Sequence, residues 1–186
     1  MTPARPRRVD PGRRDRIIDA CLDLIAAAGV AGTSHRAVAA AADVPLGSMT
    51  YHFAGMDDLL REAFTRFATV QSDGLEAAMA VATNRDEARD AVVALVIADG
   101  GRRELVLTHE LYTLAARAPA FRDLTDAWMA RSRRALERHF DPVTTRMLDA
   151  LVEGLAIHRA LDTDLEQAAD AAEAVRRITS GDRSPP

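Results

Sequence analysis

The sequence predicts an all-α fold, and three observations carry that prediction. Apolar residues recur three and four apart, as in Ile17, Cys21, Leu24, Ile25, Ala28 and again in Leu60, Ala63, Phe64, Phe67, Val70, a period that gathers them on one helical face. No stretch alternates apolar and polar residues as a half-buried strand would. Hydrophobic residues make up 48% of the 186 but aromatics only 4%, so alanine, leucine and valine must fill the core, which suits closely packed helices. The break at Ala54-Gly55 divides the chain into a head, residues 1–55, and a helical body, residues 56–186.

Residues 1–12 carry Arg5, Arg7 and Arg8 among prolines and read either as a solvated tail or as a flexible basic arm able to touch phosphates or a minor groove. A first helix is expected over 12–28, ended by Gly29. Two short helices joined by a tight turn then follow within residues 33–53. Thr33 and Ser34 are cap-type residues, whose hydroxyls can accept from an orphan helix N–H. The first short helix runs to about Ala41. Asp43 sits at the turn, where aspartate tolerates a left-handed backbone. Pro45 opens the second helix, where a missing N–H costs little. Met49 and Phe53, four apart, face inward with Val38 and Val44. Gly47, Ser48, Thr50 and Tyr51 are left on an outward side that is small and polar. This is a helix-turn-helix pattern, and its second helix is shaped for a DNA groove.

The next helix starts near Asp57, with Asp57 and Asp58 at its positive end. Asn84 can cap a helix to about residue 98, and Asp99-Gly100-Gly101 interrupts it. Helices over 102–117, over 120 to 139 or 140, and over 142–160 follow. Asp141-Pro142 starts the last of these. Asp162 or Thr163 caps a final helix to about residue 179, before a polar tail.

Charge and special residues narrow the function. The chain has no lysine, so all 24 basic residues are arginine, and the net charge is −4. Residues 1–55 hold seven arginines against five aspartates, while the remainder holds 17 basic against 23 acidic residues. A modestly basic head on an acidic body suits site-specific rather than general nucleic-acid binding. Cys21 is the sole cysteine, which excludes an internal disulfide; its place on an apolar face favours core packing over redox sensing. No signal-peptide pattern and no apolar run of membrane length is found, residues 91–98 being the longest strong one, so a cytoplasmic protein without membrane contact is expected. His109-Glu110 suggests a zinc helix, but Thr113 stands where its second histidine would fall. Neither a phosphate-cradling glycine loop nor a Gly-x-Ser-x-Gly elbow occurs. No catalytic residue, metal or cofactor is therefore expected.

From about Arg14 to Phe67 the chain resembles the tetracycline-repressor (TetR) family. The marks are Gly29, Ser34 to Arg36, Val38-Ala39, Val44, Gly47-Ser48-Met49, His52-Phe53 and Asp57-Asp58-Leu59-Leu60. It departs at Asp43, where the family usually has glycine; at Leu46 and Thr50, where a basic or polar residue and a tyrosine are common; and at Met56, where a lysine often contacts phosphate. The resemblance implies a homodimeric transcriptional regulator, a repressor, that binds a near-palindromic double-stranded operator and releases it when a small molecule enters the body. It places Thr33, Ser34, Arg36, Leu46, Gly47, Ser48, Thr50, Tyr51 and His52 at DNA, with Arg36 the leading single contact. It also implies an effector pocket among the middle helices, for which His109, Tyr112, Trp128, Arg131, Glu153 and His158 are the bulky polar-tipped candidates; Trp128 and Tyr112 read equally as core. The last two helices would pair with their copies as a four-helix bundle through Met147, Leu148, Leu151, Leu155, Leu165, Ala168, Ala172 and Val175, or else pack within the chain. The fourth helix joins head to body in this family. The alternatives are a helical ligand-binding or scaffold protein whose head has lost DNA binding, and an activator without an effector.

Overall fold

The structure, a computed structural model, describes residues 10–97, 101–161 and 167–181. Among these the regular elements are all helical: α1 Arg13–Ala28, a 3-10 turn Val30–Gly32, α2 His35–Ala41, α3 Gly47–His52, α4 Met56–Val81, α5 Arg85–Ile97, α6 Gly101–Arg117, α7 Pro119–Leu136, α8 Pro142–Leu161 and α9 Gln167–Ser180. The chain divides into two compact units between Ala63 and Phe64, inside α4. Sequence reading sets that division earlier, at the Gly55 break. The first turns of α4, with Leu59, Leu60 and Ala63 buried, belong to the first unit.

In the first unit α1 buries Ile17, Ile18, Cys21 and Ile25 on one face. Gly29 ends it at φ 70°, where a side chain would be strained, and donates its N–H to the Ile25 carbonyl at 2.8 Å. Ser34 is the true cap of α2: its backbone is extended and its Oγ accepts from the Ala37 N–H at 3.3 Å. Thr33 instead points inward and donates its hydroxyl to the Gly29 carbonyl at 2.9 Å, tying the turn to the end of α1. Asp43 takes φ 51°, as the turn requires. Pro45 lies before α3 rather than in it; its carbonyl accepts from the Ser48 N–H at 2.8 Å, so the helix opens on a tight turn and its regular part starts two residues later than expected. Val38, Met49 and Phe53 close the core. Arg14 links α1 to α4 through Glu62 at 3.0 Å and covers the Phe53 ring at 5.4 Å, a cation–π contact.

In the second unit Phe64, Ala68, Ser72 and Met79 form the buried face of α4. Val70, expected on that face, is 62% exposed, because at about 100° per residue it stands nearly opposite Ser72. Asn84 caps α5 through the Glu87 N–H at 2.9 Å, and Glu87 reaches back to the Thr83 N–H at 2.7 Å, a reciprocal cap of the capping-box kind. Pro119 opens α7 after an extended Ala118. That helix stops at Leu136, short of the expected 139 or 140; His139 Nε2 donates to the Met79 carbonyl at 2.9 Å in the turn that follows. Asp141 Oδ1 accepts from the N–H groups of Val143 and Thr144 at 2.8 and 3.0 Å and starts α8.

The core of this unit joins Met79, Ala88, Val92, Leu136, Phe140, Leu148 and Val175, from α4, α5, α7, α8 and α9 and the turn after α7. This corrects two expected interface residues. Leu148 and Val175 are fully buried within their own chain, because α9 packs on both α5 and α8. Leu151 borders the same core, and Leu155 and Ala172 are half-buried. Met147, 44% exposed, and Val143, 57% exposed, remain open on α8. Leu165 and the side chain of Ala168 lie outside the described residues, as do the arm at 1–9, Asp99-Gly100 and the expected caps Asp162 and Thr163. Among the described residues no helix is long and apolar enough to cross a membrane.

Candidate nucleic-acid face and body cavity

The outward side of α3 and its cap is a continuous strip. Leu46, Gly47, Thr50 and Tyr51 are all exposed, Tyr51 at 80%, and together they cover about 140° of the helix. A Cβ built on Gly47 would meet nothing within 4 Å, so the backbone there is open to close approach. Thr50 turns its hydroxyl back to the Gly47 carbonyl at 3.3 Å. Tyr51 stands edge-on to the His52 ring at 4.8 Å, and His52 is half-buried. Arg36 is exposed in the first turn of α2, beside the exposed Ser34 cap. Two expected contacts do not reach this face. Ser48 is only 4% and Thr33 only 8% exposed: Ser48 lies about 60° past Tyr51 around the helix, on the flank outside the strip, and Thr33 is held by the Gly29 carbonyl.

The second unit holds a cavity of about 450 Å³ that is partly open to solvent. Gln71 and Leu75 of α4, Val92 and Val96 of α5, and Leu105 and Thr108 of α6 line it. So do Trp128, Ser132 and Leu136 of α7 and Asp149, Val152, Glu153 and Ile157 of α8. Of the sequence candidates, His109, Trp128 and Glu153 are in the lining. Tyr112 stands behind it: its ring stacks on Trp128 with centroids 6.1 Å apart, and its hydroxyl donates to Glu153 Oε1 at 2.6 Å. His158 is exposed and does not line the cavity. Arg131 is committed elsewhere, to Glu76 at 2.8 and 2.7 Å and to Asp73 at 2.7 Å. Sequence reasoning missed Glu104 and Asp149, which also line the cavity. The spacing Asp149 to Glu153, i to i+4 on one helix face, was the available signal.

The electrostatics of the cavity are acidic. Its charged lining residues are Glu104, Asp149, Glu153 and Arg102, with His109 also in the lining. Arg133 Nε holds Asp149 at 3.0 Å. Burial pushes the Glu153 carboxyl upward and nearby Asp149 adds to this, while the Tyr112 hydroxyl and His109 act the other way. Burial and Glu153 together raise the Tyr112 phenol, so it stays a donor. His109 gives its Nδ1 proton to the Leu105 carbonyl at 2.9 Å. An apolar chamber with one aromatic wall and surplus carboxylate suits a molecule with an aromatic body and a positive charge. Among the described residues no three His, Cys, Asp or Glu side chains converge as metal ligands. Cys21 is fully buried, and burial pushes its thiol up to about 12.

Comparison with known proteins bears on both sites. Residues 17–63 match the model for bacterial regulatory proteins of the tetR family, and residues 83–181 match the tetracyclin repressor-like C-terminal domain. Among solved structures, the transcriptional-regulator candidate SCO7518 of Streptomyces coelicolor A3(2) is 55% identical with a TM-score of 0.83, the match covering 91% of this chain and 99% of that one. The multidrug binding protein EbrR complexed with ethidium is 35% identical with a TM-score of 0.77, over 91% of this chain and 99% of that one. EbrR complexed with malachite green is 36% identical with a TM-score of 0.69, over the same shares. No curated protein matches the chain.

Proposed function

We propose a function from one premise: this chain belongs to the tetR family of bacterial regulatory proteins. It is a ligand-responsive, DNA-binding transcriptional regulator. In our reading it acts as a repressor and a homodimer. Each copy lays the Leu46, Gly47, Thr50 and Tyr51 strip in a major groove, with Arg36 at a base edge or phosphate and Ser34 and His52 near the backbone. Two heads about one helical turn apart (~34–36 Å) meet the halves of a near-palindromic operator. The exposed Val143 and Met147 and half-buried Leu155 on α8 supply apolar surface for the second copy.

The effector is an aromatic cation. The observation that carries this is the cavity in which Trp128 stands among Glu104, Asp149 and Glu153. It is supported by EbrR, whose structures hold the aromatic cations ethidium and malachite green. Such a ligand releases DNA only by binding better to the conformation whose two heads no longer fit both half-sites.

Titration with malachite green, whose non-planar rings do not intercalate in DNA, tests the effector and is followed through the single tryptophan. Wild type should bind and lose affinity for a duplex selected from random sequence. Trp128→Ala should still bind that duplex but need much more malachite green to release it. An unchanged malachite green requirement would place the ligand elsewhere. A selection that enriches no duplex would favour a head without DNA binding.

A further inference from the structure

We infer that Arg131 is a latch that makes α4 follow α7 when the cavity fills. The inference rests on the ligand-responsive reading above and names the positioning residue that transmits the response. Helices α4 and α7 meet through their side chains, in a seam with two distinct edges. On one edge Gln71 and Leu75 of α4 and Trp128 and Ser132 of α7 face the cavity. On the other, Arg131 reaches across to α4 with a two-bond fork on Glu76 and a third bond to Asp73. Trp128, one turn before Arg131, adds an edge-on contact to Phe67 of α4 with centroids 5.7 Å apart.

A molecule entering the cavity therefore touches both helices of the seam. With no latch it could part them, and α4 would stay where it was. The planar guanidinium resists this, because a two-bond fork fixes direction as well as distance. A shift of α7 driven at Trp128 then carries residues 73–76 with it. That helix runs unbroken from Met56 to Val81, and its first turns belong to the unit that holds α3.

Stability alone is a weak reason for this cluster. The Arg131 side chain is 29% exposed, Asp73 62% and Glu76 42%, and exposed ion pairs contribute little to folding. Arg131→Met, which keeps the apolar stem, should consequently fold. Its decisive readout is the factor by which saturating malachite green, a propeller-shaped cation that does not slip between base pairs, weakens duplex binding. Allosteric factors are typically about 5–150-fold. The variant should bring the wild-type factor close to one, while its separate affinities for malachite green and for duplex hold. Glu76→Gln should give an intermediate loss. The exchange Arg131→Glu with Glu76→Arg should restore part of the factor. A factor equal to wild type in Arg131→Met, or in Glu76→Gln should the first variant unfold, overturns the latch.

If wild type does not bind malachite green, the aromatic-cation reading fails by itself. The latch is then judged from Trp128 emission on adding duplex. A change in wild type that is lost in Arg131→Met upholds it, and an equal response in both overturns it.

Discussion

The two units of this molecule solve opposite packing problems. The head closes a small core around Ile17, Ile25, Val38 and Met49 and fixes it with short-range devices: the Ser34 cap, Gly29 and the left-handed Asp43. The body leaves about 450 Å³ unfilled and puts carboxylates around it. A reader of DNA needs backbone held to fractions of an ångström, since base contacts depend on geometry. A chamber that changes shape on binding needs space and polar groups that can exchange partners. The contrast assigns rigidity to one unit and adaptability to the other.

The largest expected effect breaks the assembly of two heads. Met147→Glu puts a charge on an exposed part of α8 and should leave the fold intact. It should give monomers in sedimentation and remove nearly all operator affinity, since an obligate interface has about 2,000 Å² or more to lose. A dimer that persists would move the interface off α8. Leu151→Glu is a poorer test, because Leu151 also borders the body core.

Next comes rigidity itself. Met49→Ala should destabilise the head by about 2–5 kcal/mol, the usual cost of emptying a fully buried site. Thermal denaturation would measure it. A loss well below that range would mean the head can collapse around the gap, and the contrast with the body would weaken. A third effect concerns recognition. Arg36→Ala should cost about 1–3 kcal/mol of operator discrimination, read by titration at fixed salt, with the fold unchanged because Arg36 is exposed.

The smallest effect sharpens the account of the body. Burial lifts the Glu153 carboxyl above its ordinary value of 4.5. A cation favours the ionised form, so affinity for an aromatic cation should fall as pH drops through that raised value, before ordinary carboxylates titrate. For the protein alone the sign is reversed: a raised carboxyl binds its proton more tightly folded than unfolded, so this group penalises the folded state more as pH rises through its folded value. Glu153→Gln should flatten the part of the affinity profile that lies above the range of ordinary carboxylates. A wild-type profile already as flat would remove Glu153 from recognition.

What could be read beforehand follows the same division. Ser34, Asn84 and Asp141 act on neighbours within a few residues, so their roles are written locally, and the structure agrees with each. The second helix of the motif was legible as a helix but not in its flank, which is how Ser48 came to be assigned to the wrong side. In the body, periodicity marks an apolar face without saying what covers it. Leu148 and Val175 show this: the packing of α9 on α5 and α8 covers them, where a second copy was expected. Arg131 and His158 show the same limit for polar residues. Whether a long side chain turns toward a cavity or toward Asp73 and Glu76 depends on helices brought together from distant parts of the chain.

Cys21 has a consequence for measurement. Its thiol is sealed inside the head, and its proton is held up to about 12, so a thiol reagent finds nothing to attack while that unit is closed. The other unit contributes no cysteine at all. The rate of labelling is therefore a clock for local opening of the head alone. It requires no engineered residue, and it runs in the same sample whether duplex, dye or neither is present.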